Sequence, residues 1–269
     1  MKKLFLTLVA LVGVYTLSAQ TLTETYNAGA TAYSAKNYAE ALPALETVIA
    51  DGMISENPDE QNLAATAKTL VPNCYFRLAM ADLQAKNYEA ALEKANRSLD
   101  LAILYDVTKT ENNAKRLIGM IYQQQGGEAY NAGDYATAAQ IFAKGYEADP
   151  RNAQMANWLG SCYCELGDYT QGLAILNKVA SNPNPKYAEQ AAEAKNFVTM
   201  YTNNMVAGFQ QSNDFDGMLA VAEQMLSVDP QNPTALKIRV QAYDGKKNYD
   251  QVIALAEEAA MYQVEAEDS

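Results

Sequence analysis

The chain contains no histidine. That absence removes Ser-His-Asp and Cys-His nucleophile arrangements and every zinc site with an imidazole ligand. It also has no phosphate-binding glycine loop and no nucleophile elbow. Cysteine is scarce: Cys74, Cys162 and Cys164 form an odd set, which is not a disulfide framework. There are 8 prolines and 14 glycines in 269 residues, and runs of alternating Val, Ile and Thr are missing, so strands have little support. Basic residues number 20 against 32 acidic ones, a net charge of -12. Such a surface repels phosphate backbones and anionic headgroups, which argues against nucleic acid and favours basic or neutral partners. Carboxylate, lysine or tyrosine chemistry survives these exclusions in principle. Yet the acidic pairs Asp59-Glu60 and Glu257-Glu258 have no context that would push two pKa values apart. The sequence therefore reads as non-enzymatic, with no cofactor and no metal.

What is present is helix-forming: Ala, Leu, Glu, Gln and Lys recur throughout, and 49% of residues are apolar, enough for a substantial core. The amino terminus is an address. Met1-Lys2-Lys3 precedes an apolar run from Leu4 to Leu17, then Ser18-Ala19-Gln20. This is the pattern of a secretory signal peptide over residues 1–19, with cleavage expected after Ala19. The run is short of the roughly 20 residues a span needs. Retention as an anchor is the reading left open. The expectation is export to the periplasm or beyond, with no direct membrane binding after cleavage. Cleavage leaves 18 basic against 32 acidic residues, a net of -14.

A short pattern recurs six times: Asn or Asp, an aromatic, two residues, then a small or apolar residue. It reads Asn37-Tyr38-Ala39-Glu40-Ala41, Asn87-Tyr88-Glu89-Ala90-Ala91, Asp134-Tyr135-Ala136-Thr137-Ala138 and Asp168-Tyr169-Thr170-Gln171-Gly172. Weaker copies begin at Asp214-Phe215 and Asn248-Tyr249. The pattern predicts a turn between two helices. Lys, Gly or Asn ends the first helix, Asn or Asp caps the second, and the small residue three positions after the aromatic admits a close helix approach. With Leu159-Gly160, Tyr163, Gly167-Asp168-Tyr169 and Leu176 in the fourth copy, and Phe142 and Asp149-Pro150 in the third, the chain resembles the tetratricopeptide repeat, a 34-residue helix–turn–helix unit. The resemblance implies an all-α fold: about six hairpins stacked as a right-handed α-solenoid over residues 22–261, followed by an acidic tail at 262–269. Tyr135 to Tyr169 and Phe215 to Tyr249 keep the 34-residue period. Tyr38 to Tyr88 is 50, Tyr88 to Tyr135 is 47 and Tyr169 to Phe215 is 46. These excesses read as lengthened first helices plus longer loops, one from Asp51 to Gln61 and one over Ser181–Pro185. A sub-boundary could fall at 182–185.

In the family, first helices line a concave groove that binds peptides. Aligned by its turns, this chain would place Tyr26, Tyr33, Asn73, Phe76, Arg77, Gln123, Gln124, Tyr130, Asn157, Trp158, Asn203 and Asn204 there. Amides pair with peptide backbone and aromatics supply contact area. The family's carboxylate clamp is not expected, because Phe76, Gln123, Asn157 and Asn203 stand where it needs Lys. Several residues have a second reading. Trp158 is an anchor or an inter-repeat packing residue. Cys162 and Cys164 are small buried residues, or one of them bridges to Cys74. Gly126-Gly127 is a close-packing site or a hinge. Asn213–Gly217 faintly echoes a calcium loop but lacks the third oxygen ligand and a placed Glu. The expected role is a protein-binding adaptor or scaffold of the cell envelope. The alternative is a structural protein, a homodimer for instance, that associates through the solenoid ends. Val252, Ile253, Leu255 and Met261 of the last helix would supply that contact.

Overall fold

A computed structural model describes residues 21–228 and 230–256. The expected signal segment and acidic tail, and Met261, lie outside them. Among the described residues the chain is α-helical, with no strand. Helices α1 (Leu22–Ser34) and α2 (Tyr38–Ile54) form the first hairpin, and α3 (Pro58–Gln84) and α4 (Tyr88–Leu104) the second. Next come α5 (Thr108–Asn131) with α6 (Tyr135–Ala148), and α7 (Ala153–Glu165) with α8 (Tyr169–Ala180). A 3-10 turn at Pro185–Tyr187 leads into α9 (Ala188–Gln211), paired with α10 (Phe215–Val228). Helix α11 (Pro233–Gly245) precedes α12, helical over residues 249–256. Every second helix starts at the repeat aromatic, so all six expected hairpins are there.

The six turns share one geometry. Lys36, Lys86, Gly133, Gly167, Asn213 and Lys247 take positive φ, between 56° and 84°. Each turn then makes two closing bonds. In the first, Lys36 N–H donates to the Tyr33 carbonyl and Asn37 N–H to the Ala32 carbonyl. The fourth repeats this with Gly167 to Cys164 and Asp168 to Tyr163. This left-handed C-cap satisfies carbonyls that a helix end leaves orphaned. The second-helix caps are less uniform. Asp134, Asp168, Asp214 and Asn248 accept from backbone N–H groups three residues on. Asn37 and Asn87, expected to do the same, make no side-chain cap bond. A seventh copy of the turn, centred on Asp106 at φ 57°, joins α4 to α5.

The extra residues go almost wholly into first helices. Helices α3, α5 and α9 have 27, 24 and 24 residues, whereas α1, α7 and α11 have 13 each. The expected loop from Asp51 to Gln61 is therefore corrected: α2 continues to Ile54 and α3 opens at Pro58, its N-terminal position, where a missing N–H costs nothing. Pro72 sits inside α3, and its carbonyl accepts the buried Ser98 hydroxyl at 2.7 Å.

The chain divides into two compact units, residues 1–121 and 122–269. The division falls inside α5, not at 182–185. The N-terminal unit has a core of Leu45, Val48 and Ile49 from α2, Val71 and Cys74 from α3, and Leu101 from α4. The C-terminal unit is built from clusters in series. Phe142 packs with Met155 and Leu159, Leu176 with Ala194 and Tyr201, and Met218 with Ile238. Within each unit a hairpin thus buries its apolar face on the next, as a one-dimensional repeat array requires. The small-residue rule holds: Ala41, Ala91 and Ala138 are fully buried, and Gly172 faces Gly160, whose carbonyl lies 2.6 Å from where a Gly172 Cβ would stand.

Candidate protein-binding faces

In the N-terminal unit, α1 and α3 bring five of the expected residues onto facing first helices. Tyr26 and Tyr33 are half-buried against the core, and Tyr33 meets Tyr38 edge-on at 5.5 Å. Asn73, Phe76 and Arg77 lie at i, i+3 and i+4 on α3 and so share one face. The exposed Arg77 guanidinium stands 5.6 Å from the Phe76 ring centre. Burial pushes the Tyr33 phenol up, Cys74 and Tyr38 add to this, and Arg77 opposes it. That coupling puts Tyr33 beside this stretch of α3. The Asn73 Oδ1 is buried and accepts no hydrogen bond among the described residues. An unpaired buried carbonyl costs free energy until a donor reaches it.

The C-terminal unit corrects two candidates. Asn157 is fully buried. Its Nδ2 donates to the Gln190 carbonyl and to the Glu193 carboxylate, both at 2.9 Å, so it ties α7 to α9. Trp158 stacks obliquely on Phe142 at 5.2 Å and belongs to the α6–α7 core, which settles it as a packing residue. Tyr130 is also engaged. Its hydroxyl bonds Ser161 Oγ at 2.9 Å, Ser161 bonds Tyr201 at 2.7 Å, and Tyr201 donates to Glu165 at 2.7 Å. Because Tyr201 spends its one proton on Glu165, Ser161 must donate to Tyr201 and Tyr130 to Ser161. Burial first, and the bond to Glu165 after it, hold the Tyr201 phenol well above its ordinary range, whereas the Ser161 bond lowers it. Sequence reasoning missed this chain, because no local signal links residues on three helices. Gln123, Gln124, Asn203 and Asn204 remain exposed. They stand 12 and 11 positions before Tyr135 and Phe215, equivalent places on α5 and α9.

An unexpected open cleft of about 390 Å3 lies beside the start of α7, lined by Asp149, Arg151, Asn152, Gln154, Lys186 and Tyr187. Arg151 is held back toward Asp149, whose carboxylate accepts both its backbone and its side-chain N–H. The three cysteines are buried and free, and burial pushes each thiol up to about 12. The Asn213–Gly217 segment is the fifth turn: Asp214 caps α10 and Asp216 pairs with Lys246. Gly126 is a close-packing site, since a Cβ there would overlap the Phe142 ring.

Repeated helical hairpins with open first-helix faces define a protein of the α-solenoid class. Residues 129–196, a stretch that includes the 34-residue spacing of Tyr135 and Tyr169, match the tetratricopeptide repeat family model. Over that stretch the chain is similar to the tetratricopeptide repeat. No curated protein matches it in sequence. Among solved structures it is similar to a tetratricopeptide repeat protein from Parabacteroides merdae ATCC 43184, at 12% identity over 89% of this chain and 79% of that one, with a TM-score of 0.29. It is also similar to a thermophilic TPR protein in Thermus thermophilus, at 17% identity over 84% of this chain and 98% of that one, with a TM-score of 0.25. Tetratricopeptide repeats generally mediate protein–protein interaction, which supports an adaptor or scaffold role in that general sense.

Proposed function

We propose that this chain is a non-enzymatic scaffold of the cell envelope that holds an extended peptide or helix on the first-helix face of its N-terminal unit. The observation that carries this reading is the α1–α3 face. There a buried, unpaired Asn73 carbonyl stands four residues from an exposed Arg77, with Tyr33 and Phe76 beside them. A peptide carbonyl would accept from Arg77 and the aromatics would bury its side chains, while a turn of the half-buried Asn73 side chain would bring its carbonyl to a peptide N–H. Preformed helices keep the ordering cost of such binding low. Gln123, Gln124, Asn203 and Asn204 offer a second, amide-rich set of contacts on the C-terminal unit.

The envelope location is supported by the basic, apolar and small-residue order of residues 1–19. Protein recovered from fractionated cells should begin at Gln20 and leave with the envelope or medium; an intact Met1 in the cytosolic fraction would overturn that part.

The binding test immobilises mature protein and passes solubilised envelope extract over it, with Phe76→Ser/Arg77→Glu as the control. A partner kept by the wild type and lost by the variant supports the α1–α3 face. Equal retention by both removes it. Replacing Tyr130, Asn157 and Trp158 is not a usable control, because those side chains hold the fold. One observation favours self-association as a second reading. Tyr249 and Ile253, four apart on α12, are each 57% exposed. Sedimentation of wild type beside Ile253→Asp decides it: a dimer lost in the variant supports end-to-end pairing, and a strict monomer rejects it.

A further inference from the structure

We propose that the tips of α2 and α4 form a docking face for a basic, amphipathic helical segment of another protein. Met53 and Ile54 end α2 and are 60% and 84% exposed; Ile103 and Leu104 end α4 and are 55% and 63% exposed. Helices α2 and α4 both have 17 residues and start at the repeat aromatic, so these pairs occupy equivalent positions. Each helix packs against α3, and α2 and α4 run in the same sense as second helices of successive hairpins. Val48, Ile49 and Leu101 share one core cluster, which sets both tips toward the N-terminal half of α3. At about 8–10 Å between neighbouring helix axes, tips that flank α3 are at most about 20 Å apart across it. Gly52 lies against Glu60 and Tyr105 against Lys68, so the tips are offset by about 12 Å along α3. A helix of roughly 16 residues spans the resulting distance of about 23 Å. The apolar stripes of both helices therefore run past the core they cover and continue into solvent. Four large apolar side chains exposed together mark an interaction surface rather than scattered surface residues.

Charge selects the occupant. Asp51, Glu56, Asp59, Asp100 and Asp106 stand around these tips, and no Lys or Arg occurs in residues 51–67 or 98–108. The nearest cations are Lys68, over the Tyr105 ring, Arg97, whose charge acts on the Tyr105 phenol while its guanidinium lies over Tyr75, and Lys109. The two helix C-termini add partial negative charge at the same end. An apolar strip inside a carboxylate rim complements a helix whose apolar stripe is flanked by Lys or Arg. It repels anionic lipid and a second copy of a chain whose net charge is -12. This face is separate from the α1–α3 face and does not depend on it.

The test uses mature full-length protein and a synthetic helix of about 16 residues, long enough to span the two tips, with Leu on one stripe and Lys on the rest. Controls are a scrambled peptide and one with Glu for Lys, all followed by fluorescence anisotropy. The patterned basic peptide should bind at least about tenfold more tightly than either control. Ile54→Ser/Leu104→Ser changes only exposed side chains and should retain the helical circular dichroism signal while weakening binding at least about tenfold. Asp51→Lys/Asp106→Lys should weaken binding and flatten its salt dependence, and Phe76→Ser/Arg77→Glu should leave it unchanged. Wild-type affinity in Ile54→Ser/Leu104→Ser, or equal affinity for the scrambled peptide, overturns the proposal. So does binding to phosphatidylglycerol vesicles that needs Ile54 and Leu104 without peptide binding, which would mean a lipid surface. A dimer that the Ile54→Ser/Leu104→Ser variant loses would assign the face to a second copy instead.

Discussion

Gly126 and Gly127 are neighbours in α5, and the structure separates them by what each faces. A Cβ on Gly126 would enter the ring of Phe142, which is 1% exposed and has nowhere to move, so Gly126→Ala should cost about 1–3 kcal/mol of overpacking. A Cβ on Gly127 meets nothing within 4 Å. Gly127→Ala should therefore gain about 0.5–1 kcal/mol from helix propensity and reduced unfolded-state entropy. Urea melts of the two single variants test this directly. Shifts of the same sign would show that Phe142 does not pack on α5 as described. The sequence alone offers a pair of glycines with two readings. Only the ring arriving from α6 decides that one glycine is a packing site.

At the scale of elements, the hairpins were legible because their signals are local. The Asn or Asp, the aromatic and the small residue three places on act within a few residues of each other, and the helix starts at Tyr38, Tyr88 and Tyr169 follow from them. Asn157 was misread for the opposite reason. Its place in the repeat matches that of exposed Asn203, but the lengthened start of α9 brings Gln190 and Glu193 over it. An insertion elsewhere in the chain thus decides whether an amide is a binding group or a tie. The turns also make a prediction. Lys36 and Lys86 hold φ 65° and 62°, a conformation that carries a Cβ penalty glycine lacks. Each Lys→Gly change should stabilise the chain by up to about 1 kcal/mol, whereas Gly167→Val, at φ 84°, should destabilise it by about 1–2 kcal/mol. Thermal melts of the three variants check the order. A destabilised Lys86→Gly would mean that the lysine stem contributes packing that outweighs its backbone strain.

At the scale of the whole molecule, three unpaired thiols sit awkwardly with the proposed export into an oxidising compartment, where exposed cysteines pair or oxidise. The fold answers this by burial. Cys74 lies in the core of the N-terminal unit, and Cys162 and Cys164 project into two different clusters of the C-terminal unit. Desolvation pushes each thiol up to about 12, so the reactive thiolate is almost absent at neutral pH. The same shift ties stability to pH. In the unfolded chain these groups ionise near 9, whereas in the folded chain they hold their protons to about 12. Above pH 9 the folded state therefore binds more protons than the unfolded state. The contribution is intact below about pH 9 and is lost as pH rises from 9 to 12. Two outcomes are expected. At about pH 8, where the folded thiols are still protonated, a thiol reagent such as dithionitrobenzoate should label the cysteines only as fast as the protein unfolds, with rapid labelling of all three in urea. The urea midpoint should be flat from about pH 7 to 9 and fall from there. Replacing Cys74, Cys162 and Cys164 together by Ala should shallow the alkaline fall, even though the cavities lower the midpoint at every pH. Rapid labelling of native protein would place at least one thiol in contact with solvent and would undo the account of how such a chain could keep three cysteines reduced outside the cytoplasm.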